Sequence, residues 1–249
     1  MTDRYWLPRR YTSRERPRYD DDTSSGVAWQ PDVYRAAAAV ARTVGAHQVV
    51  DVGCGRGEKL VALHPGLGLI GIDFGPNIDH CRSAYPFGTW IEHDLEEPGP
   101  LPLLDDQLRG SVIVSADVIE HLVAPERLLE KLAMALGLAK VVLLSTPERE
   151  LWSGVRDGGP PRNACHVREW SIRELGQLLR TAGLPNHSIG LTRSNDRTEE
   201  LHTSLAVITA DSETLDKVVP TLVNMEPPPR RHSAARIRIA RLLRVAIRG

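Results

Sequence analysis

One tract, HQVVDVGCGRGEKL at 47–60, constrains this chain more than any other. The apolar positions Val49, Val50 and Val52 lead into Gly53, Gly55 and Gly57. Glycine carries no Cβ, so the backbone can turn tightly and a ligand can approach it, while a following helix offers unpaired N–H groups. The pattern is that of a strand-to-helix turn suited to a nucleotide-like ligand; a purely structural turn is the alternative. A second apolar run, LGLIGID, ends at Asp73, twenty-two residues after Asp51. That is close to the interval at which an acidic side chain meets a ribose in dinucleotide-binding sheets. The dinucleotide pattern Gly-x-Gly-x-x-Gly needs a third glycine at 58, where this chain has Glu58, so a nicotinamide cofactor is disfavoured.

Strand and helix patterns alternate from there, which predicts an α/β fold built on a parallel sheet. Strands are expected at 47–52, 68–73, 89–94 (TWIEHD), 111–117 (SVIVSAD) and 140–146 (KVVLLST), with a last pair from SIGLT and SLAVITA. Helices are expected from 31 to Gly45, from about 57, at 77–85, at 125–136 and at 171–182. Pro31 and Gly45 suit the two ends of the first helix, and Ser171 with Glu174 forms a capping-box pattern for the last. Residues 147–170 read as a long irregular insertion.

Composition excludes several classes. The 31 basic and 32 acidic residues give a net charge of −1, which offers no argument for nucleic-acid binding. Three widely spaced cysteines suit reduced thiols in a cytoplasmic protein better than a disulfide framework or a zinc site. No apolar run is long enough to span a membrane, and the first thirty residues lack the apolar centre of a secretory signal. The expected organisation is an N-terminal arm at 1–30, a catalytic domain at 31–226 and a tail at 227–249. Tyr5, Trp6, Trp29 and Tyr34 form either a lid over the ligand or a surface-packed arm. The tail holds seven arginines and no acidic residue after position 229. As a helix it would set Arg238, Arg241, Arg244 and Arg248 against Ile239, Leu242, Leu243, Ala246 and Ile247, which suits peripheral membrane contact through 230–249, docking on an acidic partner, or packing on its own domain.

DVGCGRG at 51–57, with the residues after it, resembles the first motif of the class I S-adenosylmethionine-dependent methyltransferases. The resemblance implies a Rossmann-like fold with a mostly parallel seven-stranded sheet, helices on both faces, and S-adenosyl-L-methionine as cofactor. It implies that Asp51, Gly53, Cys54, Gly55 and Gly57 border the methionine part. Asp73 would hold the ribose hydroxyls, Phe74 the adenine, and Asp94 with Leu95 the adenine edge. SADVIEHL at 115–122 is similar to the ubiquinone-biosynthesis-type enzymes, which puts Ser115, Asp117 and His121 beside the sulfonium. Some relatives hold a divalent metal on an Asp/Glu-x-x-Glu-His cluster, here Asp117, Glu120 and His121, although the expected site is metal-free.

The insertion carries GPPRN at 159–163 and HVREW at 166–170, and resembles a bacterial polysaccharide-associated subgroup. Loops longer than about 12–15 residues are often functional. Asn163, Arg168, Glu169 and Trp170 are therefore candidate acceptor contacts, with Asn195 from the polar tip at 193–197; a proline-braced connector is the alternative. Transfer to a hydroxyl needs a base, and the near-neutral titration of imidazole makes His121 and His166 the catalytic candidates. The expected acceptor is a small molecule, a saccharide hydroxyl first. A phenolic or quinone-like metabolite and a non-catalytic scaffold remain as alternatives, and the 5% aromatic content argues mildly against a large flat acceptor.

Overall fold

The computed structural model describes residues 5–15 and 26–225. Its elements in chain order are α1 Pro31–Val44, β1 Gln48–Val52, α2 Glu58–Val61, β2 Gly68–Asp73, α3 Pro76–Ala84, β3 Thr89–Glu92, α4 Asp105–Leu108 and β4 Ser111–Ala116. A 3₁₀ turn at Ile119–His121 follows, then α5 Pro125–Leu136, β5 Val141–Pro147, α6 Arg149–Ser153, α7 Ile172–Thr181, β6 His187–Thr192, β7 Thr203–Ile208 and α8 Ser212–Val223. The strands form one seven-stranded sheet in the order β3-β2-β1-β4-β5-β7-β6. Among the described residues, β7 alone runs opposite to the other six strands.

Strand periodicity separates the two layers of the core, because successive side chains point to opposite faces. Val50, Val52, Ile113, Val142 and Leu144 pack with Leu128, Leu132 and Leu175 from α5 and α7. Val49, Val112, Val114, Val141 and Leu143 pack on the other face with Val33, Ala37 and Val40 of α1 and Val218 and Leu222 of α8. Each strand therefore reads as a continuous apolar run. From β1 the chain continues through β2 and β3 to one side, and β4 adds on the other. The crevice at such a reversal is where open α/β sheets bind ligands.

Some boundaries differ from expectation. The helix expected after Gly57 is a single turn, α2, and β5 extends through Pro147. Pro147 lacks an N–H, but the final position of a strand tolerates it. The insertion is not wholly irregular: α6 opens it, and Glu148 Oε2 accepts from Leu151 N at 2.7 Å as the cap. Ser171 N donates to Glu174 Oε2 at 2.8 Å, as the capping pattern predicts.

Residues 5–15 pack on the α5–α7 side. Leu7 is fully buried, the Trp170 indole N–H donates to Tyr5 O at 3.0 Å, and Trp6 Nε1 donates to Thr181 Oγ1 at 3.1 Å. The arginine-rich tail at 230–249 lies outside the described residues.

Candidate active site

A cavity of about 1160 Å³ opens at the carboxyl ends of β1 and β4. Gly53, Cys54, Gly55 and Gly57 line one side, and Asp117, His121, Asn163, His166 and Glu169 line another. The turn needs its glycines. Gly53 has φ +82°, and a Cβ there would meet Val118 Cγ2 at 2.4 Å. Gly53 N and Cys54 N both donate to Ile72 O, at 2.8 and 3.1 Å, and Gly55 N donates to Asp73 Oδ2 at 2.7 Å. Asp73 thus ties the turn to the end of β2.

Behind the turn, Asp51 is fully buried and accepts from the Tyr34 hydroxyl at 2.8 Å. Burial pushes its carboxyl up to about 6, against the opposing pull of the Tyr34 hydrogen bond and the Lys59 charge. Asp117 has a left-handed backbone, φ 56°, and so does Gln30, φ 55°. Gln30 Nε2 donates to Asp117 Oδ1 at 2.8 Å and to Thr203 Oγ1 at 3.1 Å. Two non-glycine residues held in this conformation, hydrogen-bonded to each other at a cavity wall, fit the clustering of backbone strain at working sites. Sequence reasoning missed Gln30, because nothing in the residues around it signals a left-handed glutamine.

The imidazoles form the second half. His121 Nδ1 lies 3.0 Å from Cys165 O, which can only accept, so Nδ1 carries the proton. Burial, helped by the nearby His166, drops the His121 pKa to about 4 and keeps the ring neutral near pH 7. His166 Nδ1 meets Glu169 Oε1 at 2.5 Å, and its Nε2 lies 2.9 Å from Asn163 Nδ2. The two rings stand edge to face with centroids 4.8 Å apart. Glu120, fully buried beneath them, accepts from Thr146 Oγ1 at 2.9 Å. Desolvation and the neighbouring Asp117 charge hold its carboxyl well above the ordinary range. Ligand atoms of Glu120, His121 and His166 all lie within 4.8 Å of one another.

Other expected site residues lie off the cavity wall. Ser115 is buried in β4. Phe74 is largely exposed, Asp94 Oδ1 caps its own loop through Glu96 N at 2.8 Å, and Leu95 belongs to the core. Arg168 and Trp170, expected to meet the acceptor, instead face the packing side. Arg168 donates to Val123 O at 3.2 Å with its guanidinium 4.2 Å from the Tyr5 ring, and Trp170 is fully buried. Asn195 pairs through its backbone with Trp29, and its Oδ1 accepts from Arg197 N at 2.9 Å. Gln30 and Lys59, neither of them expected in the site, line the cavity, as do Trp29, expected either in a lid or in a surface-packed arm, and Trp152.

Comparison with known proteins gives a consistent result. A family model described as a methyltransferase domain matches residues 22–189. A Mycolicibacterium smegmatis protein described as a probable S-adenosylmethionine-dependent methyltransferase is 34% identical over 147 residues, covering 58% of this chain and 54% of that protein. A Mycobacterium tuberculosis protein of the same description is 35% identical over 141 residues, covering 55% and 48%. The chain thus spans about half the length of the curated relatives it matches. Among solved structures, the N-terminal domain of EvdMO1 with SAH bound superimposes with a TM-score of 0.50 at 19% identity, covering 76% of this chain and 84% of that one. Human N-acetylserotonin methyltransferase in complex with SAM gives 0.50 at 14% identity, covering 72% and 52%. At those identities the likeness is one of fold.

Proposed function

The chain belongs to the methyltransferase-domain family, and on that premise we propose that it transfers the methyl group of S-adenosylmethionine to a hydroxyl of a small-molecule acceptor, a sugar or glycan precursor. One observation carries the reading: the glycine turn tied to Asp73 and the His121–His166 pair border the same cavity. Bound S-adenosylmethionine supplies an electrophilic methyl carbon on a positive sulfur. The chain's residues then orient the acceptor in line with it and take up the hydroxyl proton. Gly53, Gly55 and Gly57 would let the cofactor approach the backbone, and Asp73 would accept hydrogen bonds from its ribose hydroxyls. His166, oriented by Glu169, is the base; Asn163, already at its Nε2, is the group that yields to the incoming hydroxyl. The polar wall of Asn163, Glu169 and Arg162 supports a saccharide, whereas Trp29 and Trp152 on the same cavity favour a phenolic or quinone-like ring as the second reading.

Glu120, His121 and His166 also fit a divalent cation. Carboxylate and imidazole are suitable donors, and Glu120 Oε1 is buried with no hydrogen-bond partner. Such an ion would polarise the acceptor hydroxyl. Full turnover after exhaustive chelation rules it out. We also assign the basic segment 230–249 a peripheral contact with anionic surfaces and the protein a cytoplasmic location. Deleting the segment should lower binding to anionic vesicles. The acceptor is tested by incubating purified protein and S-adenosylmethionine with sugar nucleotides, lipid-linked saccharides and phenols while following S-adenosylhomocysteine. Turnover on phenols alone overturns the saccharide assignment and leaves the cofactor reading intact; no S-adenosylhomocysteine binding by calorimetry overturns both and favours the scaffold.

A further inference from the structure

Exposed large apolar side chains are spread singly over the described residues except at one turn. Leu151, Trp152 and Val155 expose 47%, 39% and 72% of their surfaces. Single exposed apolar residues are ordinary, but several in a group mark a contact surface. The turn is fixed from beneath. Arg149, at the start of α6, is fully buried and bonded to Glu174 Oε1 at 2.7 Å, so the helix holds its inner side and presents its apolar residues outward. Trp152 and Ser153 line the cavity, which puts the turn at the cavity mouth.

Along residues 9–10 and 149–162 the exposed charge is predominantly basic, while on the other side of Trp152 the His202 ring lies 5.1 Å away and 3.7 Å from the exposed Glu200. Arg156 and Arg162 are exposed in the same insertion. Arg9 and Arg10 are exposed on the segment that runs beside it, where Thr12 N donates to Gly158 O at 2.7 Å. The acids of the stretch are turned away or engaged: Glu148 caps α6 and bonds Ile172 N, Glu150 lies 3.5 Å from Arg149, and Asp157 Oδ2 is buried.

We propose that Leu151, Trp152 and Val155, flanked by these arginines, form a contact surface for an anionic lipid bilayer that sets the cavity mouth against the membrane. Apolar side chains entering the interface beside cations that meet lipid phosphates is the physical pattern of peripheral membrane binding. On the methyltransferase reading, an amphiphilic acceptor then reaches the cavity without leaving the bilayer. The surface itself does not depend on that reading, since binding is measured without turnover.

The test uses the full chain with vesicles of phosphatidylglycerol and phosphatidylcholine, with and without bromine on the acyl chains. Bromine should quench a fluorescence component that is absent from Trp152→Phe. Leu151→Ser with Val155→Ser should weaken vesicle binding about tenfold, the scale of losing a few buried methylene groups. Binding with no quenching of the Trp152 component would mean that the tail alone binds, and overturns the proposal. So does absence of binding. A dimer in light scattering that the double substitution dissolves would assign the surface to a second copy of the chain instead.

Discussion

His166 is the residue on which the proposed chemistry is most exposed to test. Glu169 at 2.5 Å fixes the proton on Nδ1 and leaves Nε2 as the acceptor, the nitrogen now facing Asn163. His166→Ala should lower turnover about 10²–10⁴-fold, the range of a lost general base, while S-adenosylhomocysteine affinity by calorimetry stays unchanged. Unchanged turnover would remove His166 from the mechanism. Buried Asp51 makes a separate prediction about stability. Its pKa rises from 3.8 in the unfolded chain to about 6 in the fold. A raised folded-state value means that its contribution is fully present below pH 3.8 and is lost as pH rises through 6. Asp51→Asn should therefore stabilise the protein at pH 7.5 by up to about 3 kcal/mol, with the gain vanishing toward pH 4. His121 has the opposite sign: with its pKa lowered from 6.5 to about 4, its contribution is present above pH 6.5 and is lost as pH falls through 4. Urea midpoints of the parent and Asp51→Asn across pH 4–8 check the first claim, and a gain that does not depend on pH would refute it.

Among the elements, the β1–α2 turn concentrates the constraint. Gly53→Ala places a Cβ 2.4 Å from Val118 Cγ2 on a backbone with φ +82°. It should destabilise the protein by about 1–3 kcal/mol and weaken cofactor binding, and adding Val118→Ala should recover only part of the stability, because the backbone strain stays. Thermal unfolding and calorimetry of the single and double variants read both effects; full recovery would show that the contact alone was at fault. This turn was legible in sequence because its rule is local: a glycine run after an apolar strand, and an acid ending the next strand. The continuous apolar runs that became β1, β2 and β4 were legible for the same reason. The facing of Arg168 and Trp170 was not. In a loop without a period, residue spacing does not fix direction, and here direction is set by residues far back in the chain. Tyr11 Oη accepts from Glu169 N at 3.0 Å, and Arg14 Nη1 donates to His166 O at 2.9 Å. Gln30 escaped notice similarly: its side chain is held at the cavity by Asp117 and Thr203, partners 87 and 173 residues away.

At the scale of the whole molecule, the cavity is closed by segments that only the tertiary fold brings together, and their anchoring decides whether it exists. On one side the backbone around 26–30 is pinned to 194–197, with Gln30 N donating to Ser194 O at 3.0 Å and Asp196 N to Ala28 O at 3.0 Å. On the other, the insertion is held to α7 by the buried pair Arg149 and Glu174, with the Arg149 guanidinium 5.5 Å from the Tyr11 ring. Removing one member of a buried pair leaves the other charge uncompensated, which costs about 3–5 kcal/mol, whereas replacing both with apolar groups is often neutral. Arg149→Leu should therefore lower stability by that amount. Glu174→Leu added to it should restore most of the loss, short of about 1 kcal/mol, because Glu174 also accepts from Ser171 N at the start of α7. The Arg149→Leu single variant should lose turnover as well, since α6 and the wall bearing Asn163 and His166 share the insertion. Urea unfolding at pH 7 with turnover measured in parallel distinguishes the cases. If the double variant is as unstable as the single, the stabilising element is the packing of the Arg149 side chain on Tyr11 rather than its charge. If the single variant unfolds early yet turns over normally at low temperature, the wall is held without α6.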